Sequence, residues 1–192
     1  KGALEDKTEI IYLPGNDIDK NVVRNADALI TRTRTICNEN LLAGSSVKFI
    51  ASATIGYDHI DTAWCESNGI EWTNAPGCNS SSVRQYLVSA LLNLIPSLHP
   101  DPSLVTMGIV GVGNVGSKIA SAAKALGMKV MLNDPPRERA ENTNIFSSLA
   151  DILREADIIS FHVPLNKEGM DKTLGMAGKP FFSNLKKPVI LI

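Results

Sequence analysis

A glycine-rich turn between a strand and a helix constrains this chain more than any other feature of its sequence. Gly111, Gly113 and Gly116 form a GxGxxG pattern, preceded by an apolar run at 104–110 and followed by an amphipathic helical run at 115–126. The first glycine of such a turn allows the tight reversal, the second leaves the main chain bare, and the third lets the helix pack closely. Because a helix N-terminus offers unpaired N–H groups and partial positive charge, the pattern predicts a phosphate-binding turn.

An acidic residue at a suitable distance completes the pattern of a dinucleotide-binding βαβ unit. A second strand is predicted at 129–132, and Asp134 follows it, 18 residues after Gly116. A carboxylate there accepts hydrogen bonds from the adenosine ribose and repels a 2′-phosphate, so NAD is favoured over NADP, a preference that Arg137 and Arg139 weaken. A turn without any ligand, or a plain surface turn at Asp134, are the alternatives. The predicted cofactor-binding residues of the unit are Gly111, Gly113, Asn114, Val115, Gly116 and Asp134.

Apolar strand-like runs alternate with amphipathic helical runs along the chain, which predicts an α/β fold with parallel sheets. The predicted strands are residues 9–13, 28–31, 48–52, 70–74, 104–110, 129–132, 157–161 and 188–192. The predicted helices are residues 18–25, 38–43, 62–68, 83–95, 115–126 and 149–155. Ser148 and Asp151 form a capping-box pattern at the start of the last helix.

The helix at 83–95 and the proline-containing segment after it suggest a boundary between two α/β units. We therefore expect a first unit at 1–82, a connecting helix and linker at 83–102, and a second unit at 103–192. The serines at 80–82 are expected to cap the helix and Pro96 to end it. The last strand reaches the chain end with no helix after it, and the beginning is equally abrupt, so both units are expected to be incomplete.

Composition argues against several classes of function. The net charge is −1 and no basic block occurs, which disfavours a nucleic-acid partner. The apolar stretch at 86–95 is too short to span a bilayer and no signal peptide is evident, so we expect a cytoplasmic protein without a membrane partner. The three cysteines form no CxxC pair, which favours reduced thiols over disulfides or a metal site.

Five segments together resemble the D-2-hydroxyacid dehydrogenase family. They are residues 53–61 (ATIGYDHID), 74–79 (NAPGCN), 108–116 (GIVGVGNVG), 133–136 (NDPP) and 161–165 (FHVPL). The similarity runs from about residue 9 to residue 192, and the second and fourth segments are most similar to the branch that acts on 4-phospho-D-erythronate. The resemblance implies a flavodoxin-like substrate domain followed by a Rossmann NAD-binding domain, both incomplete in this chain.

The resemblance also implies a reaction and a set of site residues. The reaction is oxidation of this phosphorylated 2-hydroxy acid to the 2-oxo acid by NAD, in pyridoxal 5′-phosphate (vitamin B6) biosynthesis, by a homodimer. The family's catalytic Arg, Glu and His lie beyond the segment that matches the end of this chain, so no catalytic residue is assigned. Thr33 and Thr54 match substrate-contacting positions, and Gly56 lies in the loop whose N–H groups face the substrate carboxylate. Asp134 and Val163 match cofactor-contacting positions.

Several polar residues have both a functional and a structural interpretation. Arg32 and Arg34 would share one face of an extended strand end, where they could capture a phosphate or carboxylate or simply face solvent. Arg32 is the stronger candidate and joins Thr33, Thr54 and Gly56 in the predicted substrate site. His162 could act as an acid–base residue, although a structural role before a proline is favoured.

Two further side chains are interpreted as structural. His59 is expected to be a turn residue bonded to a neighbour, and Cys78 to serve packing or steric purposes and not as a nucleophile.

Three hypotheses for function remain open. The first is NAD-dependent oxidation of a phosphorylated 2-hydroxy acid. The second keeps the chemistry but replaces the substrate with an unphosphorylated D-2-hydroxy acid. The third is an NAD(H)-sensing protein of the same fold that has no turnover.

Overall fold

Two parallel sheets organise the chain, one in each of two units. The structure, a computed structural model, describes residues 4–192. The first unit ends at Cys78 and the second comprises Asn79–Ile192. Each unit has its own apolar core, so each is described by itself below.

The first unit has a three-stranded parallel sheet in the order β1-β2-β3. The strands are β1 (Ala28–Thr31), β2 (Phe49–Ser52) and β3 (Glu71–Thr73), and the helices are α1 (Lys20–Val23), α2 (Glu39–Leu42) and α3 (Thr62–Ser67). Asp19, Asn38 and Asp61 cap these helices by accepting N–H groups of the first turn. The core that they enclose contains Val23, Cys37, Leu42, Ile50, Ile60 and Cys65.

The second unit has a four-stranded parallel sheet in the order β5-β4-β6-β7. Its strands are β4 (Thr106–Val110), β5 (Lys129–Asn133), β6 (Ile158–Phe161) and β7 (Ile190–Leu191). Its helices are α4 (Ser80–Leu98), α5 (Asn114–Ala125), α6 (Pro135–Glu141), α7 (Leu149–Glu155) and α8 (Lys179–Ser183). Strand β4 is central and almost wholly buried, which explains why its sequence is continuously apolar.

Most predicted elements are confirmed to within two residues, and helix α7 has the predicted bounds. Ser148 accepts the N–H of Asp151 at 3.1 Å, as the capping-box pattern indicates. The exception among the strands is residues 9–13, where no strand forms. Ile11 and Tyr12 are exposed there, and within residues 4–192 this apolar run pairs with no strand of either sheet.

The sequence missed helices α6 and α8 because neither has an amphipathic period of useful length. Helix α6 buries no residue. Its first residues favour a helix, since Asp134 is the N-cap and Pro135 is the first helical residue. Helix α8 buries only Phe181.

Both predicted limits of the connecting helix are wrong. Helix α4 begins at Ser80, with Asn79 at its N-cap and no side-chain cap, and it continues through Pro96 to Leu98. Ser80 is buried, and its hydroxyl accepts from Lys118 Nζ of α5 at 2.7 Å. Pro96 is tolerated because it lies in the last turn, where one backbone bond is lost, while the buried Leu91 and Ile95 hold the helix on the core.

Searches of the described residues gave two negative results. None of the helices within 4–192 is long and apolar enough to span a membrane. No group of three or more His, Cys, Asp or Glu side chains in that range is placed to hold a metal ion.

Candidate functional site

The glycine turn lies where the strand order of the second sheet changes direction. Strand β5 is on one side of β4 and β6 is on the other. The chain therefore passes from β4 outward to β5 and then returns past β4 to β6. The crevice beyond the carboxyl ends of two such strands is the usual ligand site of open α/β sheets. The glycine turn follows β4 there, and His162 and Val163 follow β6.

Two of the three glycines are required by close contacts within the turn. Gly111 has a φ of 88°, and a Cβ on it would lie 2.6 Å from the carbonyl oxygen of His162. A Cβ on Gly116 would lie 2.0 Å from the carbonyl oxygen of Gly111. The predicted roles of these glycines in the tight turn and in close packing are therefore confirmed.

Gly113 differs because nothing in the protein requires its small size. No atom lies within 4 Å of the position that its Cβ would take, and both Gly113 and Asn114 are exposed. Helix α5 starts directly after it, and within residues 4–192 no side chain caps the first N–H groups of the helix. A bare main chain next to an uncapped helix N-terminus fits the pyrophosphate of a dinucleotide.

Asp134 is more than a surface turn residue, since it joins the end of β5 to the glycine turn. Its Oδ2 accepts the N–H of Val112 at 2.7 Å, and its Oδ1 accepts the N–H of Arg137 at 3.1 Å as the N-cap of α6. Each carboxylate oxygen keeps a lone pair for a further donor. Its predicted bond to the adenosine ribose stays a prediction.

Arg137 completes a clamp on the peptide of Val112 that the sequence did not reveal. Its guanidinium donates to the Val112 carbonyl, forms an ion pair with Glu141 at 2.7 Å and lies 5.6 Å from the ring centre of Phe146. The hydrogen bond that Arg137 donates to the Glu141 carboxylate raises the pKa of Arg137, so the clamp is cationic at every ordinary pH. The Arg–Glu spacing of four residues was the available signal, but it became meaningful only once α6 was known.

The position of His162 favours its structural interpretation. Its main-chain N–H donates to the Val110 carbonyl at 2.7 Å, and its ring Nε2 lies 2.9 Å from Ser160 Oγ. Ser160 gives its only hydrogen to the carbonyl of Ile192, so the ring must donate. Burial lowers the pKa of His162 below its ordinary value, and the neutral ring predominates at neutral pH. Val163 lies against the turn, with Cγ1 2.8 Å from the position of a Cβ on Gly111.

The predicted substrate residues of the first unit also follow the carboxyl ends of parallel strands. Thr31 of β1 and Ser52 of β2 are paired in register, so the segments after them start side by side. The turn at 53–56, which follows β2, is tied to the segment after β3. Ala75 N–H donates to the Thr54 carbonyl at 3.0 Å, and Asn74 Nδ2 donates to the Ile55 carbonyl at 2.7 Å.

The loop of residues 54–56, called the substrate loop after its predicted role, exposes main-chain donors. The hydroxyl of Thr54 donates to the Gly56 carbonyl at 2.9 Å, which closes the loop on itself. Within residues 4–192 the N–H groups of Thr54, Ile55 and Gly56 have no hydrogen-bond partner. Such a row of free N–H groups suits an anionic group.

The arginines at 32 and 34 do not lie on one strand face, because the strand ends before them. The N–H of Thr35 donates to the Arg32 carbonyl at 3.3 Å, so the chain turns after Thr31. Arg32, Thr33 and Arg34 are all exposed, and within the described part of the chain neither guanidinium forms an ion pair. Arg32 stays a candidate for binding an anion, but the alternation of a strand no longer supports it.

The cysteines fit an unreactive role. Cys37 and Cys65 are buried, and burial raises the pKa of the Cys37 thiol to about 11 and that of Cys65 above its ordinary value. Cys78 is exposed, which contradicts a packing role, while the steric, non-nucleophilic role expected as the alternative stays a prediction.

Two family models match the chain, and their matches overlap at residues 97–134. Residues 2–134 match the family described as D-isomer specific 2-hydroxyacid dehydrogenase, catalytic domain. Residues 97–192 match its companion, described as D-isomer specific 2-hydroxyacid dehydrogenase, NAD binding domain. The second match contains the glycine turn, Asp134 and Val163.

Curated relatives share one name. The chain is 58% identical over 184 residues to an erythronate-4-phosphate dehydrogenase of Bacteroides fragilis, covering 96% of this chain and 53% of that protein. It is 44% identical over 188 residues to the protein of the same name in Escherichia coli O157:H7, covering 96% and 49%. The chain thus spans about half the length of the curated relatives it matches.

Solved structures agree with this grouping. One is a D-lactate dehydrogenase from Aquifex aeolicus complexed with NAD and lactic acid, with a TM-score of 0.69, 28% identity, and coverage of 98% of this chain and 62% of that one. Another is an NAD⁺-bound 3-phosphoglycerate dehydrogenase from Entamoeba histolytica, with a TM-score of 0.62, 29% identity, and coverage of 81% and 52%. The chain belongs to the D-isomer specific 2-hydroxyacid dehydrogenase family.

Proposed function

We propose that the protein is an NAD-dependent dehydrogenase that oxidises 4-phospho-D-erythronate to the corresponding 2-oxo acid, a step of pyridoxal 5′-phosphate biosynthesis. The observation that carries the proposal is the bare main chain at Gly113, next to an uncapped helix, in a chain most of which matches erythronate-4-phosphate dehydrogenases. The activity concerns the whole protein, of which this chain corresponds to about half.

The second unit is the proposed cofactor domain. Gly111, Gly113, Asn114, Val115 and Gly116 would receive the pyrophosphate, Asp134 the adenosine ribose, and Val163 a neighbouring part of the cofactor through apolar or main-chain contact. Bound NAD would supply the acceptor for the hydride removed from the substrate. The clamp of Asp134 and Arg137 on Val112 would keep the turn in its binding shape before the cofactor arrives, which lowers the entropy cost of binding.

The first unit is the proposed substrate domain. The free N–H groups of residues 54–56 would hold a carboxylate, and Arg32 with Thr33 would contact the substrate at the neighbouring strand end. The predicted domain limits of 1–82, 83–102 and 103–192 stay a proposal, except that the connecting helix runs from Ser80 to Leu98. The catalytic Arg, Glu and His are expected beyond residue 192, so the 192-residue chain alone should catalyse nothing.

The proposed setting is a cytoplasmic homodimer that has no nucleic-acid or membrane partner. Sedimentation of the full-length protein measures the oligomeric state directly. A monomer at micromolar concentration would contradict the dimer.

Substrate specificity is tested by NAD reduction in the full-length protein. We expect turnover of 4-phospho-D-erythronate with kcat/KM at least about a hundredfold above that for D-glycerate or D-lactate, since a lost charge-assisted contact costs about 2–3 kcal/mol. Efficient turnover of the unphosphorylated acids alone would overturn the specificity. Absence of any turnover, together with tight NAD binding, would favour the sensing protein.

A dehydrogenase for an unphosphorylated D-2-hydroxy acid is the second candidate, favoured by the similarity to the lactate-bound structure from Aquifex aeolicus. Arg32→Glu separates the two. If Arg32 contacts a phosphate, the reversal should raise KM far more for the phosphorylated acid than for the plain one. Equal changes for both would contradict a phosphate role for Arg32.

A further inference from the structure

A buried histidine is connected to the substrate loop through two hydroxyl groups. Ser52 Oγ lies 3.0 Å from His59 Nε2 and 2.7 Å from Thr54 Oγ1, and Thr54 Oγ1 donates to the Gly56 carbonyl at 2.9 Å. His59 and Ser52 are 5% and 3% exposed, so water does not compete for the bond between them, whereas the bond from Thr54 to Gly56 is exposed. The three side chains form one chain of hydrogen bonds that ends on the substrate loop.

Counting hydrogens fixes the direction of every bond in this chain. A carbonyl can only accept, so the Thr54 hydroxyl uses its single hydrogen in the bond to the Gly56 carbonyl. The contact with Ser52 must then use the hydrogen of Ser52. With that hydrogen spent, Ser52 can only accept from His59, so Nε2 of His59 carries a hydrogen.

We propose that His59 is a positioning residue for the substrate loop, acting through Ser52 on the hydroxyl of Thr54. Because His59 donates to Ser52, the Ser52 hydroxyl donates its own hydrogen to Thr54. The Thr54 hydroxyl in turn donates to the Gly56 carbonyl. The Thr54 hydroxyl therefore has no hydrogen to give to a substrate, and an anion at this loop is met by the main-chain N–H groups. The proposal rests on the proposed function in taking residues 54–56 as the substrate loop.

The backbone around His59 does not depend on its ring. The His59 carbonyl accepts from Cys37 N–H at 2.7 Å, Ile60 N–H donates to the Tyr57 carbonyl at 2.8 Å, and Asp61 N–H donates to the Cys37 carbonyl at 2.8 Å. Replacing the ring should therefore leave the turn in place and release mainly the hydroxyls of Ser52 and Thr54.

The hydrogen-bond chain is tested by long-range ¹H–¹⁵N NMR of histidines in the full-length protein. We expect the His59 Nε2 resonance to be of the protonated type, with slow exchange of its hydrogen, and both features to be lost in Ser52→Ala. A non-protonated Nε2 in the wild-type protein would overturn the proposal whatever the enzyme does.

The positioning role is tested by kinetics with 4-phospho-D-erythronate. His59→Leu should raise KM about tenfold with kcat changed less than twofold, and His59→Gln, which keeps an N–H donor, should recover most of the loss. If His59→Leu does not fold, Ser52→Ala breaks the same chain and should raise KM to the same extent. A wild-type KM in the folded variants overturns the proposal.

His99 provides a matched control for the kinetic test, and wild-type turnover together with NMR distinguishes failure of this proposal from failure of the proposed function. His99→Gln changes a histidine of the second unit and should leave KM for the acid and Kd for NAD unchanged. If the wild-type protein turns over no 2-hydroxy acid, the proposed function fails and the positioning role fails with it, while the NMR result still decides the direction of the bonds.

Discussion

The two units place their candidate ligand loops in the same position on a parallel sheet but fix the shapes of those loops by different means. In the second unit the turn after β4 is fixed by the missing side chains of Gly111 and Gly116, which let main chain touch main chain. In the first unit the loop after β2 is fixed by side-chain hydrogen bonds from Thr54 and Asn74. A glycine requirement can be predicted from the sequence at a single position. A side-chain hydrogen bond also needs a partner group, which folding brings near.

The sharpest way to break this comparison is to add side chains to the glycine turn. Gly116→Ala places a Cβ 2.0 Å from a carbonyl oxygen and should lower the free energy of unfolding by about 3 kcal/mol. Gly113→Ser meets no atom within 4 Å, and serine is a good N-cap, so stability should change by less than about 0.5 kcal/mol. Urea unfolding of the 192-residue chain measures both changes.

The Gly113→Ser variant, which should hardly change stability, should have a large effect on NAD binding. In the full-length protein, Gly113→Ser should weaken NAD binding at least about tenfold, because its side chain takes the space left for the pyrophosphate. Fluorescence titration with NADH measures this. Wild-type affinity in the serine variant would show that the bare main chain is not needed.

The clamp on Val112 is the one part of the glycine turn that uses side chains, and it should have an intermediate effect. Asp134→Ala removes bonds to two N–H groups, of Val112 and Arg137, and should cost about 2 kcal/mol of stability. NAD affinity should fall about tenfold or more, since both the turn and the ribose acceptor are affected. A variant with unchanged NAD affinity would contradict the ribose role of Asp134.

In the first unit, loss of a single side-chain bond should have a smaller effect. Asn74→Ala removes the bond to the Ile55 carbonyl and should cost about 1 kcal/mol, with KM for the hydroxy acid raised several-fold and NAD binding unchanged. Asn93→Ala is the matched control, because it removes an equivalent 2.7 Å bond, to the Ser89 carbonyl, on the exposed face of helix α4. Equal effects of the two variants on KM would argue that residues 54–56 do not bind the substrate.

The smallest expected effect is the pH dependence due to His162. Burial lowers its native pKa below the ordinary 6.5, so below about pH 6.5 the unfolded chain binds a proton that the native chain resists. The free energy of unfolding should therefore fall as the pH is lowered through this region. His162→Gln should flatten that part of the curve, as measured by urea unfolding at several pH values, and an unchanged curve would contradict the assignment.

The fold was largely predictable because strand and helix periods follow from burial. Seven strands and the six predicted helices are present, and α7 has the predicted bounds. The strand at 9–13 failed because an apolar run that favours a strand also needs a neighbouring strand to pair with, which the run itself does not supply. Helix α4 passes through Pro96 because packing of Leu91 and Ile95 outweighs one missing bond, and that balance cannot be judged from the sequence.

The candidate site was predictable in proportion to how local its requirements are. Gly111 and Gly116 were assigned their structural roles from spacing alone. The pairing of Arg32 with Arg34 was not, because it assumed a strand that ends one residue before Arg32. The clamp role of Arg137 and the role of Ser52 were missed, since each gains meaning only from a group that folding brings near, the Val112 carbonyl and the His59 ring.

The sequence by itself determined that this protein has a strand, a bare turn and a helix in succession, with an acidic residue after the next strand, because steric limits on the main chain act within a few residues. The tertiary structure alone decided which peptide Asp134 and Arg137 hold, and which hydroxyl stands between His59 and the substrate loop. The first choice depends on the register and order of parallel strands, which bring residues 22 and 25 positions apart within hydrogen-bond distance. The second depends on the turn after β2, which folds His59 back onto Ser52.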